Sequence, residues 1–280
     1  MLSIPRYIVI EKARGQTPLE AIDAWRHVHP KFADVPATYA GRLDPMATGK
    51  LLVLLGDECK KREKYTGLDK EYEVEVVLDI STDTGDALGL AVMNNGSNKT
   101  QVAKHDIHAA LRACTGTHTI PYPAFSSKTV GGKPLFLYAL EGTLDTISIP
   151  EHEETIYKIR LLDQKEISAS ALEQRVTETL ASVPRNTEPS KELGADFRQD
   201  SIREQWRSIL DTLPTSRTFT ILKLRVTCAS GTYMRTLTGR TAKELGTEGF
   251  ALSIHRTKIG TNITLGPISF LWDTFRRGTF

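Results

Sequence analysis

Cysteine is scarce in this 280-residue sequence and poorly placed for covalent or metal chemistry. Cys59, Cys114 and Cys228 are odd in number and far apart. They form no CxxC pair and no Cys/His cluster, which argues against a disulfide framework and a zinc site and fits a reducing, cytoplasmic setting. Long apolar runs are missing as well. The longest, Leu51 to Leu55, is far too short to cross a bilayer, so no membrane association is expected. The opening "MLSIPRYIVIEKARG" lacks a cationic start, a long apolar stretch and a small-residue cleavage site, so no signal peptide is expected. No GxGxxG opens a helix after a strand, and GxxxxGK[ST], HExxH and GxSxG are absent. The histidines do not pair at metal spacing, and "STDTGDALG" lacks the carboxylate pattern and final glutamate of a calcium loop. Catalysis is therefore expected to rest on ordinary side chains, with no metal and no cofactor.

Acids are missing from particular stretches. Residues 107–140 contain none and carry Arg112, Lys128 and Lys133. Residues 212–243 contain none and carry Arg217, Lys223, Arg225, Arg235, Arg240 and Lys243. Between Val35 and Gly56 the single acid is Asp44. Residues 141–211, by contrast, hold fifteen acids against nine bases. The formal net charge of +2 thus hides basic segments suited to a polyanion such as nucleic acid, beside an acidic one.

The patterning predicts helices and strands in mixed order. "TPLEAIDAWRHVHP" opens with Thr17 as N-cap, Pro18 at the first helical position and Glu20 completing a capping box. "KLLVLLG" reads as a buried strand and "DECKKREKYTG" as a short charged helix ended by Gly67. In "EYEVEVVLDI" the residues Tyr72, Val74, Val76, Leu78 and Ile80 share one face, with Glu71, Glu73 and Glu75 on a solvent-facing one. "DIHAALRACTG" and "TYMRTLTGRTAKELG" read as helices, the latter capped by Gly246; "TIYKIRLL" and "TFTILKLRVTCASG" read as strands. Without a regular βαβ repeat, the order favours an α+β fold. Residues 164–216 look like a polar insertion with a loop at "SVPRNTEPS" and two amphipathic helices, around Leu172–Val176–Leu180 and Ile202–Trp206–Leu210–Leu213. After Arg256 too little chain remains for another domain of about 50 residues, so a single domain without a C-terminal RNA-binding domain is expected.

Asp44 stands out in "YAGRLDPMATGKLLVLLG", residues 39–56. Proline after it favours an extended backbone, and Gly41 and Gly49 permit bends on either side. Alone, such an aspartate is most simply a turn residue. Arg235 alone is a solvated helix arginine, and Tyr72 alone is a core residue.

The pattern changes when several segments are taken together. "AGRLDPMATGKLLVLLG" resembles the G-x-L-D-P-x-A-T-G-x-L-x-x-x-x-G motif of the TruB family of tRNA pseudouridine synthases. "LDKEYEVEVVLDISTDTGDALG" is similar to that family's K-x-Y strand and T-D-T-x-D-x-x-G turn. "PYPAFSSKTVGGKPLFLYALEG" resembles its P-x-x-x-S-x-x-K-x-x-G-K-x-L-Y-x-x-A-x-x-G segment. "CASGTYMRTL" is similar to its C-x-x-G-T-Y-I-R-T-L motif, and "IEKARGQTPLEAI" matches the opening D-K-P-x-G-x-T-S less well. The segments occur in family order and span most of residues 8–260 apart from the insertion.

The resemblance implies a pseudouridine synthase fold, with a mixed, largely antiparallel sheet and a catalytic cleft across it. It implies that Asp44 is the catalytic carboxylate, paired with a bidentate guanidinium at Arg235 inside a closed pocket. Tyr72 would contact the flipped uracil and assist proton removal at C5. Lys70 of the K-x-Y pattern is expected on the substrate side. Lys128 and Lys133 would grip RNA phosphates, and His255, in "SIHRTKIG", would form a pocket wall. The implied partner is tRNA, through its T-loop and stem, bound by a monomer, with the uridine conventionally numbered 55 as target.

Two departures stand out. Tyr39 occupies the place of the family's wedge histidine. Arg42 gives "RLD", a hallmark of the RluA branch of pseudouridine synthases, although Pro45 and "MATG" side with TruB. The same chemistry on ribosomal or another RNA, and a non-catalytic RNA-binding or chaperone protein on this fold, are the alternatives. A carboxylate-based hydrolase is disfavoured because no second acid is near Asp44 in sequence.

Overall fold

A computed structural model describes residues 4–93, 102–183, 198–265 and 268–275. Its strands and helices run in the order β1 (Tyr7–Lys12), α1 (Pro18–Val28), β2 (Ala37–Ala40), β3 (Thr48–Leu55), α2 (Arg62–Thr66), β4 (Asp69–Leu78), β5 (Ile80–Thr82) and β6 (Ala91–Met93). There follow α3 (Lys104–Ala113), β7 (Gly116–Pro121), β8 (Thr129–Val130), β9 (Lys133–Pro134), α4 (Leu135–Glu141), β10 (Glu151–Ser168) and α5 (Ala169–Ser182). The last are α6 (Gln199–Asp211), β11 (Thr218–Cys228), α7 (Met234–Glu244), β12 (Gly249–Leu265) and β13 (Ile268–Asp273).

The capping box that opens α1 forms as the sequence predicts. Thr17 accepts from the Glu20 amide, and the Glu20 carboxylate accepts from the Thr17 amide. Among the described residues, nine strands form the main sheet in the order β1-β3-β12-β4-β11-β10-β7, with β2 on β3 and β13 on β12. Every pairing is antiparallel except β3 with β12. The fold is therefore α+β with a mixed, largely antiparallel sheet, as expected.

The β4 strand sits between β12 and β11, and its two faces differ from the simple picture of one core face and one wet face. Tyr72, Val74, Val76 and Leu78 are buried in the main core. The glutamate face is an ion-pair ladder. Glu71 meets Lys258, Glu73 meets both Lys223 and Arg225, and Glu75 meets both Lys165 and Arg175. The expected wet face is thus partly covered, and Glu71 is buried. Neighbouring strands bring cations beside Glu71 and Glu73, and β10 and α5 bring Lys165 and Arg175 to Glu75, which period-2 alternation alone does not reveal.

Residues 164–168 complete β10, pairing with β11 from Gln164↔Leu222 to Ser168↔Thr218. The polar segment therefore starts as a sheet strand, and its helices α5 and α6 pack on the sheet. Leu172, Val176, Leu180, Ile202, Trp206 and Leu210 all belong to the main core. Beyond Val183, the loop expected at "SVPRNTEPS" lies outside the described residues. Trp206 is 1% exposed, donates Nε1–H to the Gly89 carbonyl at 3.2 Å and meets the Phe250 ring edge-on. Trp206→Ala should lower the unfolding free energy by about 3–5 kcal/mol, measured by urea denaturation. Removing the whole segment would strip part of the core, so its contribution is better tested by point substitutions.

Candidate active site

Asp44 sits in the turn between β2 and β3. Its carbonyl accepts from the Ala47 amide at 3.0 Å, while Leu43, Met46 and Ala47 are buried in the main core and anchor the turn. The turn geometry of the simple reading is present, and the same residue carries the carboxylate singled out from sequence. Gly49, just after the turn, has φ +107°, and a Cβ there would lie 2.4 Å from the Arg256 carbonyl oxygen. Only glycine allows β3 and β12 to run side by side at that point.

Arg235 lies in the first turn of α7, one residue into the helix after Tyr233 as N-cap. Its Nε donates to Asp44 Oδ2 at 2.9 Å, across 191 residues of sequence. Nη1 donates to the Thr84 carbonyl at 2.7 Å and Nη2 to the Phe125 carbonyl at 3.0 Å. The guanidinium therefore touches Asp44 with one nitrogen, not the expected two, because backbone carbonyls of two loops take the other pair. The Arg235 side chain is 6% exposed and that of Asp44 37%, so the carboxylate reaches solvent rather than being sealed in a closed pocket. Asp44 Oδ1 accepts no hydrogen bond from the described residues and is available to a substrate.

A second carboxylate, unread from sequence, shares the same guanidinium. Asp86 Oδ2 is 3.6 Å from Arg235 Nε. Asp86 Oδ1 accepts from Thr84 Oγ1 at 2.7 Å and from the Leu88 amide at 2.9 Å. Burial pushes the Asp86 carboxyl up, and Arg235 opposes that shift. Burial also works against the charge of Arg235, but Asp44 and Asp86 outweigh it and hold its pKa above the ordinary value. The absence of a second acid near Asp44 in sequence is thus no guide to space. Asp86 is buried and turned onto the arginine, and its signal was the second aspartate of the T-D-T-x-D-x-x-G turn.

Two further buried cations hold the Asp44 turn from below. Lys12, 0% exposed, donates to the carbonyls of Ala13, Pro45 and Ala47 at 3.0, 3.3 and 2.7 Å. Arg256, also fully buried, donates Nε–H to the Lys50 carbonyl at 2.7 Å and Nη2–H to that of Gly41 at 3.0 Å, bracketing the loop. Neither was singled out from sequence, although Lys12 is the lysine of the opening motif and Arg256 adjoins His255.

The other expected site residues fall in different places. Tyr72 is buried beside the Asp44 turn in the core and faces Arg256 across the β4–β12 ladder. Burial pushes its phenol up, with the Arg256 charge opposing. Lys70 is buried, not solvent-facing, and donates to the Thr66 carbonyl at 2.9 Å and to Ser230 Oγ at 3.0 Å. It supports the floor near Gly41 instead of offering a free ammonium to phosphate.

His255 lies on the opposite sheet face from Arg256 and Tyr72, since it pairs with Glu73 and alternation turns it away. It is exposed and hydrogen-bonds Thr48 at 2.8 Å, so Ile254 and Arg256 share the site face that His255 was expected to line. Tyr39 is half-buried against the small core under α1, with Arg62 5.3 Å over its ring, which leaves little of it to wedge into RNA. Arg42 is exposed at the rim, two residues from Asp44.

Lys128 is 4.9 Å over the Tyr122 ring, which stacks on His152 at 4.0 Å. Lys133 pairs with Glu141 and sits over Tyr138, so it is already partnered. The basic run 212–243 is similarly spent in part within the fold. Arg217 pairs with Asp79, Lys223 and Arg225 with Glu73, and Arg235 with Asp44.

Burial pushes the pKa of Lys12 down from 10.5 to about 8, with Asp44 opposing and Arg256 adding to the shift. Burial and then Arg256 push Lys70 down from 10.5 to about 8. Below pH 8 both lysines are charged whether folded or unfolded, and the cost of burying that charge is fully present. Between about 8 and 10.5 the unfolded chain binds more protons, so their contribution to stability rises with pH. Activity should move the other way. As Lys12 loses its proton, the donor set holding the Pro45 and Ala47 carbonyls weakens. Single-turnover rates are expected to fall through a limb near pH 8 while thermal stability holds or rises; a rate flat to pH 9.5 would contradict this.

A partly exposed carboxylate is thus held by a buried guanidinium over a largely antiparallel sheet. The sequence matches the model of the TruB family pseudouridylate synthase (N terminal domain) over residues 31–179, more than half of the chain, and the protein belongs to that family. It is 29% identical over 253 residues to "tRNA pseudouridine synthase B" of Aromatoleum aromaticum, a match that covers 90% of this chain and 62% of that relative. It is 27% identical over 263 residues to the protein of the same name from Bacillus thuringiensis, covering 94% of this chain and 68% of the relative. The chain thus spans about two thirds of the length of these relatives. Among solved structures, the "Crystal Structure of a Cbf5-Nop10-Gar1 Complex" contains a chain with the same fold. The TM-score is 0.51 at 15% identity, covering 91% of this chain and 48% of that one.

Proposed function

We propose that this protein isomerises uridine to pseudouridine in tRNA, at the T-loop position conventionally numbered 55. In the reaction the C1′–N1 glycosidic bond breaks, the uracil turns, and a C1′–C5 bond forms. The proton on C5 is lost and N1 gains one, so the product is an isomer and no redox partner is consumed. The carrying observation is the Asp44–Arg235 contact, which leaves one carboxylate oxygen open beside an otherwise basic site. Lys12, Lys70, Arg235 and Arg256 outnumber Asp44 and Asp86 there, which suits a polyanionic substrate.

Asp44 acts on the sugar–base linkage, Arg235 orients it through the Nε–Oδ2 contact, and Tyr72 contacts the extruded base. Flipping a stacked uridine costs a few kcal/mol, which contacts of this kind offset. Under this proposal Arg42, exposed at the rim, and Lys128 meet phosphates. In this reading the 280 residues form one catalytic domain that works as a monomer in the cytoplasm without metal or cofactor.

The test is to incubate the protein with unmodified tRNA and with ribosomal RNA, then map pseudouridine by chemically induced reverse-transcription stops. A single T-loop stop in tRNA is expected. Modification of ribosomal RNA alone would favour the relatives signalled by Arg42, and modification of neither would end the enzyme reading.

A further inference from the structure

The two carbonyls that orient Arg235 come from separate loops, and one side chain joins those loops from outside. Arg198, at the N-cap of α6, donates Nη1–H to Asp83 Oδ2 at 2.7 Å. Its guanidinium also lies 4.7 Å over the Phe125 ring. Asp83 immediately precedes Thr84, whose carbonyl accepts from Arg235 Nη1, and the Phe125 carbonyl accepts from Nη2. One guanidinium thus ties together the loops that aim another.

The same helix grips the first loop a second time, where Trp206 donates to the Gly89 carbonyl. That loop also closes on itself, with the Leu90 amide donating to Asp83 Oδ1 at 2.8 Å, and its Gly85 carbonyl accepts from the Ala251 amide of β12 at 3.0 Å. From the neighbouring helix α5, Thr179 accepts from Arg14 at 3.3 Å, and the adjoining Gly15 amide donates to the Pro45 carbonyl at 2.9 Å, beside Asp44. The 164–216 segment therefore reaches both halves of the Asp44–Arg235 pair.

We propose that Arg198 is a positioning residue for this reaction, and that the segment's helices brace the catalytic arginine rather than bind RNA. The inference rests on the isomerase reading for its rate effect but not for its structural one. A planar, permanently charged fork suits this bridge, since it can pair with a carboxylate at its edge and stack on a ring with its face. Lysine can supply the charge but not the stack. Asp83 and Arg198 are partly exposed, so their loss should cost the fold little while loosening the two loops.

The experiment has two arms. In the first, single-turnover pseudouridine formation and tRNA binding are measured for the wild type, Arg198→Ala, Arg198→Lys, Asp83→Asn and the double variant R198A/D83N. Arg198→Ala is expected to slow the chemical step about tenfold with tRNA affinity within twofold, Arg198→Lys to restore part of the rate, and the double variant to be no slower than Arg198→Ala. Rates equal to wild type, a parallel loss of tRNA affinity, or multiplying losses in the double variant would each overturn the proposal.

The second arm needs no turnover. In arginine-¹⁵N-labelled protein the Nε–H signal of Arg235, identified by its loss in Arg235→Lys, should exchange with solvent about tenfold faster in Arg198→Ala. An unchanged exchange rate would overturn the bracing role even if the wild type modified no RNA.

Discussion

Asp44→Asn should abolish pseudouridine formation, lowering the single-turnover rate by at least about 10³-fold, while the protein still folds and still binds RNA. Asparagine has nearly the same shape, and its carbonyl oxygen can still accept from Arg235 Nε, so the turn anchored by Leu43, Met46 and Ala47 is preserved. What disappears is the negative charge and the open oxygen that the proposed reaction uses at the sugar–base linkage. The carboxylate is partly solvent-exposed, so its charge contributes modestly to stability, and the unfolding free energy should change by less than about 1 kcal/mol. tRNA affinity should stay within about threefold, because the substitution removes a negative charge and leaves the cations in place. A loss of binding equal to the loss of rate would make Asp44 a docking residue and not a catalytic one.

Arg235→Ala should do damage of two kinds. Two carbonyls, of Thr84 and Phe125, lose their donors, and Asp86 stays buried without its cation. Breaking a buried pair by removing one partner costs about 3–5 kcal/mol, so a marked fall in melting temperature is expected. The rate should fall by about 10²–10³-fold, the scale seen when an oriented charged or polar group is removed from an active site. RNA affinity should fall only modestly. Because the alanine variant loses stability, Arg235→Lys is the companion. It keeps a cation near Asp86 but cannot reach Asp44 and both carbonyls at once, so it should fold better than alanine and still turn over about 10²-fold more slowly. Turnover equal to wild type in a folded Arg235→Lys would remove the guanidinium geometry from the mechanism.

Local features were the ones most fully written in the sequence. The capping box of α1 needs only Thr17 and Glu20 three residues apart, and it forms. Gly246, past the end of α7, has the positive φ its glycine suggested. The Asp44–Arg235 contact is of another kind. Nothing in either segment's composition points to the other, and only the ordered motifs bring them together.

Features set by tertiary neighbours were hidden. Lys70 was expected on the substrate side, but β4 lies between two strands, and the lysine there is enclosed and donates to Thr66 and Ser230. His255, expected as a pocket wall, is one residue out of phase with Arg256 and Tyr72, and period-2 alternation turns that into the opposite side of the sheet. The acid-free stretch 212–243 looked like an RNA surface, yet Arg217 meets Asp79, and Lys223 and Arg225 meet Glu73, acids far away in sequence. Charge counted along a chain does not register charge paired across a ladder. The polar appearance of residues 164–216 likewise concealed helices whose apolar stripes complete the main core and whose Arg198 reaches the loops around Arg235.

Forming the C1′–C5 bond expels the hydrogen on C5, and that hydrogen reports the proposed chemistry more directly than any loss of function. The measurement is tritium release from unmodified tRNA carrying [5-³H]uridine, comparing wild type with Asp44→Asn. Isomerisation centred on Asp44 predicts release of about one tritium equivalent per labelled target uridine by the wild type, and none above background by the variant. No release by the wild type, or equal release by both proteins, would contradict it.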